Sequence, residues 1–262
     1  MTKIGIAGDW HGSFQWTRGG LRTLGEMGVK HVFHAGDFSI AFNHRWPDLI
    51  NISESACRRY DMKLYITPGN HENWEWINEQ EYDDDGLHWV SERVAICERN
   101  SVIQVEDRKV LSLGGATSVD RSLRVPRRSW WPEEEITAGD LLTLQDVMDH
   151  VGDIDIMVCH DAPGGGTDAV QDILNIPPHL SIFPTEGIIA AGEHRKMMEA
   201  AFDIVKPKVY VHGHFHAPDM KQVGDTLFVS LGCNGQPANL GTVDLDTLDV
   251  AMFDPREDLM EK

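Results

Sequence analysis

The chain has 262 residues, of which 41% are hydrophobic, and it carries 23 lysines and arginines against 42 aspartates and glutamates, a formal net charge of -19. This is the composition of an ordinary globular protein with enough apolar residues for a large core. The acidic excess disfavours an extended nucleic acid as a partner, yet it leaves room for a small phosphate compound at a local cationic site.

Membrane insertion and export are not expected from this sequence. No apolar run reaches the roughly 18 residues that a transmembrane helix needs. The apolar start of the chain is interrupted at Asp9, too early for a signal peptide. We therefore expect a cytoplasmic protein with no membrane partner; its oligomeric state is left open.

The beginning of the chain alternates strand and helix patterns. Strands are predicted over 3–8, 30–37 and 62–70, with helices over 13–27 and 46–61 between them. This β-α-β-α-β order predicts parallel strands joined by crossover helices. In open α/β sheets, the loops at the carboxyl ends of such strands form the ligand site.

The pattern changes after residue 100. Residues 101–116 predict a hairpin that turns at Asp107-Arg108. Further on, the sequence predicts a helix over 137–151, a strand over 153–160, a Gly/Pro-rich loop over 161–185, a helix over 190–205, a strand over 208–214 and antiparallel strands in the tail. Because no repeat, low-complexity segment or composition break occurs, we expect a single domain spanning 1–262.

The four cysteines are far apart in the sequence and form no CxxC pair. They are Cys57, Cys97, Cys159 and Cys233. A disulfide framework and a thiolate zinc site are therefore not expected, and reduced thiols are the simple interpretation.

Metal-binding residue types gather at the ends of five predicted strands. In chain order they are Asp9, His11, Asp37, Asn70, His71, His160, His214 and His216. All offer oxygen or imidazole nitrogen and none offers sulfur, which suits Mn, Fe, Zn, Ni or Co better than calcium or a structural zinc. A single Asp-x-His arises easily by chance, so the indication rests on the ordered set.

These motifs resemble those of the calcineurin-like metallophosphoesterase superfamily. The matching stretches are Asp9-x-His11, Gly36-Asp37, Gly69-Asn70-His71-Glu72, His160 and Gly213-His214-x-His216, and residues 114–134 are similar to a segment of small bacterial and phage members. The resemblance implies an α/β fold, a two-sheet β-sandwich flanked by helices in four αββα layers. It also implies a binuclear metal centre at the strand ends.

The resemblance further implies a role for each of these residues. One metal would be held by Asp9, His11 and His216, and the other by Asn70, His160 and His214. Asp37 would bridge the two ions, and a hydroxide between them would attack phosphorus in line. His71 would donate a proton to the leaving oxygen, since an imidazole titrates near neutral pH.

One departure from the family pattern bears on His71. Many members continue Gly-Asp-x-x-Asp (or Asn), whereas Ile40 stands at the last position here and cannot orient a histidine. Glu72 is the substitute that we consider, and the departure argues against a protein Ser/Thr phosphatase. Arg121, in a basic cluster with Arg127 and Arg128, is predicted to reach the substrate phosphate.

The sequence thus predicts a hydrolase of small phosphate esters, with phosphodiesters such as cyclic nucleotides favoured by family analogy. Two divalent transition-metal ions are expected, manganese first, with Fe, Zn, Ni or Co as alternatives. The alternative functions are a DNA-processing nuclease or a phosphomonoesterase of the same superfamily, or a metal-free scaffold. His212 precedes the break at Gly213 and matches no family ligand, so we expect it to be structural.

Overall fold

The computed structural model describes residues 2–164 and 166–256. The first half contains β1 (Lys3–Ala7), α1 (Phe14–Glu26), β2 (His31–His34), α2 (Trp46–Tyr60), β3 (Lys63–Ile66), α3 (Trp74–Asn78), β4 (Leu87–Trp89), β5 (Val94–Cys97), β6 (Ser101–Val105) and β7 (Arg108–Leu113). The second half contains α4 (Ala138–Val151), β8 (Ile156–Cys159), α5 (Asp168–Leu174), α6 (Thr185–Val205), β9 (Val209–His212), β10 (Asp219–Val223), β11 (Thr226–Ser230), β12 (Leu240–Asp244) and β13 (Val250–Phe253).

The helix ends follow from capping residues that the sequence provides. The Ser13 side chain accepts a hydrogen bond from the Trp16 amide at 3.3 Å and caps α1. Thr137 and Asp140 form a capping box at the start of α4. At the C-terminal end of α2, Asp61 adopts a left-handed conformation with φ 54° and ends the helix. The predicted bounds of α1, α2 and α4 therefore agree closely with the structure.

The strands form two mixed sheets. The first has seven strands in the order β13-β12-β1-β2-β3-β5-β4, in which β1, β2, β3 and β5 run parallel. The second has six strands in the order β10-β11-β9-β8-β7-β6, in which β11, β9, β8 and β7 run parallel. Parallel strands end at one edge of a sheet, so the loops after β1, β2 and β3 lie side by side.

Four layers result because consecutive strand residues face opposite sides of a sheet. In β2, Phe33 belongs to the core between the sheets, whereas Val32 packs with α1 and α2. In β8, Val158 lies in the core between the sheets, whereas Met157 packs with α4 and α6. The predicted αββα sandwich is confirmed.

Several details differ from the sequence prediction. The hairpin of β6 and β7 turns at Glu106 and Asp107, because Val105 pairs with Arg108. The loop predicted over 161–185 contains α5, capped by Thr167, and α6 begins directly after Pro184. The sequence analysis did not identify α3, β4, β5 or β10, which are all short. In the tail, β11 runs antiparallel to β10 but parallel to β9.

Two compositional expectations can be compared with the structure. All four cysteines are buried and free. Among the described residues, no helix combines the length and apolar character that crossing a membrane requires.

Candidate metal centre

The residues predicted from the five strand ends come together in one cluster. Asp9 and His11 follow β1, Asp37 follows β2, Asn70 and His71 follow β3, His160 follows β8, and His214 and His216 follow β9. The two sheets are joined here, because the His160 ring reaches across to the Ala35 carbonyl at 2.7 Å.

Asp37 lies at the middle of the cluster and is buried. Its Oδ1 is 3.2 Å from Nε2 of His160 and accepts a 2.8 Å hydrogen bond from the His71 amide. Its Oδ2 is 3.3 Å from Nε2 of His11 and 4.0 Å from Nε2 of His71. One carboxylate therefore faces both halves of the predicted ligand set.

Asp9 is fully buried beside Asp37. Its Oδ2 is 3.0 Å from Nε2 of His216 and accepts a 2.7 Å hydrogen bond from the His214 amide. Within residues 2–164 and 166–256, its Oδ1 has no hydrogen-bond partner, and it lies 3.8 Å from the His160 ring. A buried carboxylate oxygen without a partner is costly, and a cation would satisfy it.

The imidazole tautomers fit a cation as well. The Nδ1 of His160 faces a carbonyl oxygen of Ala35, and the Nδ1 of His11 faces Oδ1 of Asn234 at 2.8 Å, so each Nδ1 is the donor. Each Nε2 then carries a lone pair, which faces Asp37 oxygens in both cases and also Asn70 Oδ1 at 3.1 Å for His160. Acceptors that face acceptors require a proton or a metal ion between them.

The pKa shifts express the same requirement. Burial lowers the pKa of His160, but Asp37 and Asp9 outweigh it and raise the pKa to about 10. Burial likewise lowers the pKa of His11, and Asp37 and Asp9 raise it to about 9. Burial lowers the pKa of His214 to about 4, which keeps that imidazole neutral and able to bind a metal. The donor set thus fits a divalent transition metal.

Among the described residues, the histidine and carboxylate atoms that could bind a metal fall into two compact groups that share Asp37. His11, Asp37 and His71 form one, and Asp9, Asp37 and His216 form the other, with all atoms of a group within 4.8 Å of one another. His71, predicted as a proton donor, therefore lies as close to the carboxylate as the predicted ligands do.

The backbone of the cluster is strained. Left-handed backbone is adopted by Asp9 (φ 32°), His11 (φ 45°), Asp37 (φ 57°), His214 (φ 66°) and His216 (φ 54°). Each such conformation costs about 1 to 3 kcal/mol in a non-glycine residue and typically occurs at functional sites. Because His214 and His216 both adopt left-handed backbone, their side chains point in directions that a regular strand would not allow.

Two motif glycines allow carboxylates and backbone to approach closely. A Cβ on Gly213 would collide with the Asp9 carboxylate, and a Cβ on Gly69 would collide with the Asp37 carboxylate. The lack of room for a Cβ therefore explains why a glycine precedes His214 and Asn70.

Arg124 also lies at this site, although no sequence pattern distinguishes it. Its Nη2 is 3.0 Å from Nε2 of His71, and its Nε is 2.7 Å from Asp120. Because arginine only donates, Nε2 of His71 must be the acceptor. Burial lowers the pKa of His71; Asp37 opposes this effect, and Arg124 adds to it.

Arg121, predicted to reach the substrate phosphate, is engaged elsewhere. It forms an ion pair with Glu135 at 2.7 Å and lies over the Trp130 ring. Arg124 follows it by three residues after a 3-10 turn over Arg121–Leu123. No sequence signal separates the two arginines, since only the fold of this turn decides which one faces His71. The role of Arg121 stays a prediction, and Arg124 is the better placed candidate.

Glu72 does not take over the orientation of His71. It is fully buried and accepts backbone hydrogen bonds from Phe38 at 2.6 Å, Ser39 at 3.1 Å and Gly69 at 3.0 Å. Burial raises its pKa to about 8. Glu72 therefore ties the loop of Asp37 to the loop of Asn70, while His71 is held by its own amide and by Arg124. Ile40 is buried in the core that packs against α1 and α2.

His212 lies in β9 and is fully buried. Its ring packs near Tyr210 and Phe215, and its Nδ1 lies 2.9 Å from the Gly213 carbonyl oxygen. Its surroundings are those of a packed residue, in contrast to its neighbours His214 and His216.

A four-layer αββα sandwich with carboxylates and imidazoles at its strand ends is the architecture of the metallophosphoesterases. Residues 2–251 match the model of the calcineurin-like phosphoesterase superfamily domain, and the chain belongs to this family.

Solved structures support the fold. The chain is similar to TT1561 of Thermus thermophilus, with 11% identity over 97% of this chain and 99% of that chain and a TM-score of 0.60. It is also similar to a dimetal phosphatase from Danio rerio, with 11% identity over 97% and 99% and a TM-score of 0.57. At these identities the likeness shows the fold alone. No curated protein matches the chain.

Proposed function

We propose that this chain is a metal-dependent phosphoesterase that hydrolyses small phosphate esters, phosphodiesters above all, with cyclic nucleotides as one candidate class. The observation that carries the proposal is the convergence of a second carboxylate and several imidazole Nε2 atoms on Asp37. The formal charge of -19 argues against a nuclease that binds extended DNA.

Two divalent ions would share this donor set. One would be held by Asp9, His11 and His216, the other by Asn70, His160 and His214, with Asp37 common to both. Manganese is the first expectation, and Fe, Zn, Ni or Co suit the same donors. Such ions neutralise charge on the phosphoryl oxygens and lower the pKa of the attacking water.

His71 and Arg124 supply the remaining chemistry. The guanidinium of Arg124 is positioned to bind a phosphoryl oxygen, the role first predicted for Arg121. A bound phosphate would compete for Arg124 and free Nε2 of His71 from its 3.0 Å contact. His71, fixed through its amide to Asp37, would then be able to carry a proton to the leaving oxygen.

The test combines metal analysis with a substrate panel. Purified protein should contain about two equivalents of transition metal. It should cleave bis(p-nitrophenyl) phosphate faster than p-nitrophenyl phosphate with manganese, and neither after chelation. Cyclic nucleotides, mononucleotides and DNA in the same panel separate the alternative activities. Protein that binds no metal and cleaves no ester would refute the proposal and favour a scaffold.

A further inference from the structure

A cavity of about 550 Å³ opens from the candidate metal centre. Its inner end is lined by Asp37, Asn70, His71, His214 and His216. The volume is within the usual range for small-molecule sites. Whatever group is bound at the metal centre must therefore share this cavity with the rest of its molecule.

The outer side of the cavity is apolar. We call this side the apolar wall; it comprises Ile173, Ile176, Leu180, Ile182, Phe183 and Ile188. Ile182 is 91% exposed and Leu180 67% exposed. Large aliphatic side chains this exposed, and side by side, mark a binding surface rather than ordinary surface scatter.

The apolar wall is built by the segment between β8 and β9. The α5 helix is fixed by the Thr167 cap and by a 3.0 Å hydrogen bond from the Ala169 amide to Asp219. The α6 helix contributes Ile188, Ala191 and Arg195, whose spacing of three and four residues places them on one helix face. The wall thus consists of residues from α5, from α6 and from the connection between them, and α5 is anchored to β10 of the second sheet.

Two arginines line the cavity, Arg124 at the candidate metal centre and Arg195 on the α6 face that also carries Ile188. Arg124 contacts His71, while Arg195 forms no hydrogen bond or ion pair with any residue in 2–164 or 166–256. An unpaired guanidinium beside apolar side chains favours an anionic group of the ligand. The cavity therefore has a cationic inner part for phosphate and an apolar outer part.

The outer part suits an aliphatic group better than a nucleobase. Recognition of a base edge needs polar partners, yet beyond the candidate centre and the arginines the cavity is lined by only two polar residues, Asp120 and Ser181, within the described chain. Asp120 pairs with Arg124, and the Ser181 hydroxyl accepts from the Phe183 amide at 3.1 Å. Within the described chain, the Ser181 hydroxyl hydrogen is thus the one side-chain donor that these two residues leave open in the outer part.

We propose that this site takes phosphodiesters in which one ester group is an aliphatic chain lying against the apolar wall. The inference rests on the proposed function, and it narrows the substrate class away from nucleotides.

The test compares p-nitrophenyl phosphodiesters whose second ester is methyl, butyl or hexyl, with manganese-loaded protein. Burial of one methylene corresponds to roughly a fourfold gain. With partial burial, we expect kcat/KM for the hexyl ester at least roughly tenfold above the methyl ester, and above that for cyclic nucleotides. Equal values for all three esters, or a preference for cyclic nucleotides, would overturn the inference and leave the proposed function intact.

A variant pair tests the wall itself. In the double variant Leu180→Ser/Phe183→Ser, which alters exposed side chains, the ratio of hexyl to methyl kcat/KM should fall to below roughly threefold. Leu142→Ser is the matched control, because Leu142 is 71% exposed on α4 and does not line the cavity. A ratio that is unchanged in the double variant would contradict the wall as the binding surface.

Binding measured without turnover separates the two proposals. Hexylphosphonate should bind at least roughly tenfold more tightly than methylphosphonate by calorimetry. If no ester is cleaved with any metal, the proposed function fails, and the binding comparison by itself then tests whether the wall binds an alkyl chain.

Sedimentation velocity tests whether a second copy of the chain occupies the wall instead. A dimer that dissociates in the double variant would make the wall an interface between copies and overturn the inference.

Discussion

The candidate metal centre and the apolar wall line the same cavity, yet they are built in opposite ways. In the centre the carboxylates are buried and the backbone is strained, and the carboxylates accept backbone hydrogen bonds, as Asp9 does from His214 and Asp37 from His71. The wall consists of partly or fully exposed apolar side chains from α5, α6 and the connection between them. In our proposals the strand ends therefore carry the chemistry, whereas the segment between β8 and β9 selects the rest of the substrate.

The two regions also differ in what they cost the folded state. Asp9 and Asp37 place like charges next to each other in a buried site. Among the described residues, Oδ1 of Asp9 has no hydrogen-bond donor. The wall costs only the exposure of apolar side chains. A cation should therefore stabilise the first region and leave the second unaffected.

Loss of one ligand should have the largest effect. His216→Ala removes the imidazole 3.0 Å from Asp9, and phosphodiester hydrolysis should fall by at least roughly a hundredfold with loss of metal in elemental analysis. His212→Ala, two positions from His214 in the same chain segment, should keep its metal. Equal metal content in both variants would mean that the cluster is not the metal centre.

Substitution of Arg124 should lower activity less than loss of His216, but clearly more than substitution of Arg121. Arg124→Ala should lower kcat/KM for phosphodiesters by roughly ten- to a hundredfold, because a charge-assisted hydrogen bond contributes about 1.5 to 3 kcal/mol. Arg121→Ala is the matched control and should stay within roughly threefold, since its guanidinium pairs with Glu135. The reverse order would restore Arg121 as the phosphate ligand.

Metal addition should raise thermal stability through the cluster alone. At a metal concentration about 100 times the Kd, binding adds about 2.7 kcal/mol, which corresponds to a rise in Tm of about 5–10 °C for a chain of this size. Calorimetry of metal-stripped protein with and without manganese measures the shift. Asp37→Asn should abolish most of it, and a shift of full size in that variant would place the ion elsewhere.

The smallest effect is expected for stability changes in the wall. Ile182→Ser should alter the free energy of unfolding by at most about 0.5 kcal/mol, because the side chain is 91% exposed. Gly213→Ala in the cluster should cost more, since the added Cβ meets the Asp9 carboxylate. Urea unfolding of both variants measures the two changes in the free energy of unfolding. A larger loss for Ile182→Ser than for Gly213→Ala would contradict the contrast between the two regions.

Much of the fold and the convergence of the candidate site residues could be predicted from the sequence, for a physical reason. The β-α-β order predicts parallel strands, and parallel strands end at the same edge of a sheet. The polar residues that follow β1, β2 and β3 are therefore expected to lie close together. Capping residues such as Ser13 and Thr137 are local signals, and the helices began where they indicated. By contrast, β4 has only three residues, and β10 has no buried side chain to give it an alternating apolar pattern.

By itself, the sequence determined the alternation of strands and helices and the candidate ligands at the strand ends, because both depend on local pattern and on the direction of strands; the αββα class was implied by the resemblance of the motifs to a known family. Only the tertiary structure decided that Arg124 rather than Arg121 meets His71, that Glu72 ties two loops together, and that residues 173–188 line the same cavity as Asp37. These contacts depend on how a 3-10 turn, two buried loops and an inserted helical segment pack against distant strands, which no spacing along the chain encodes.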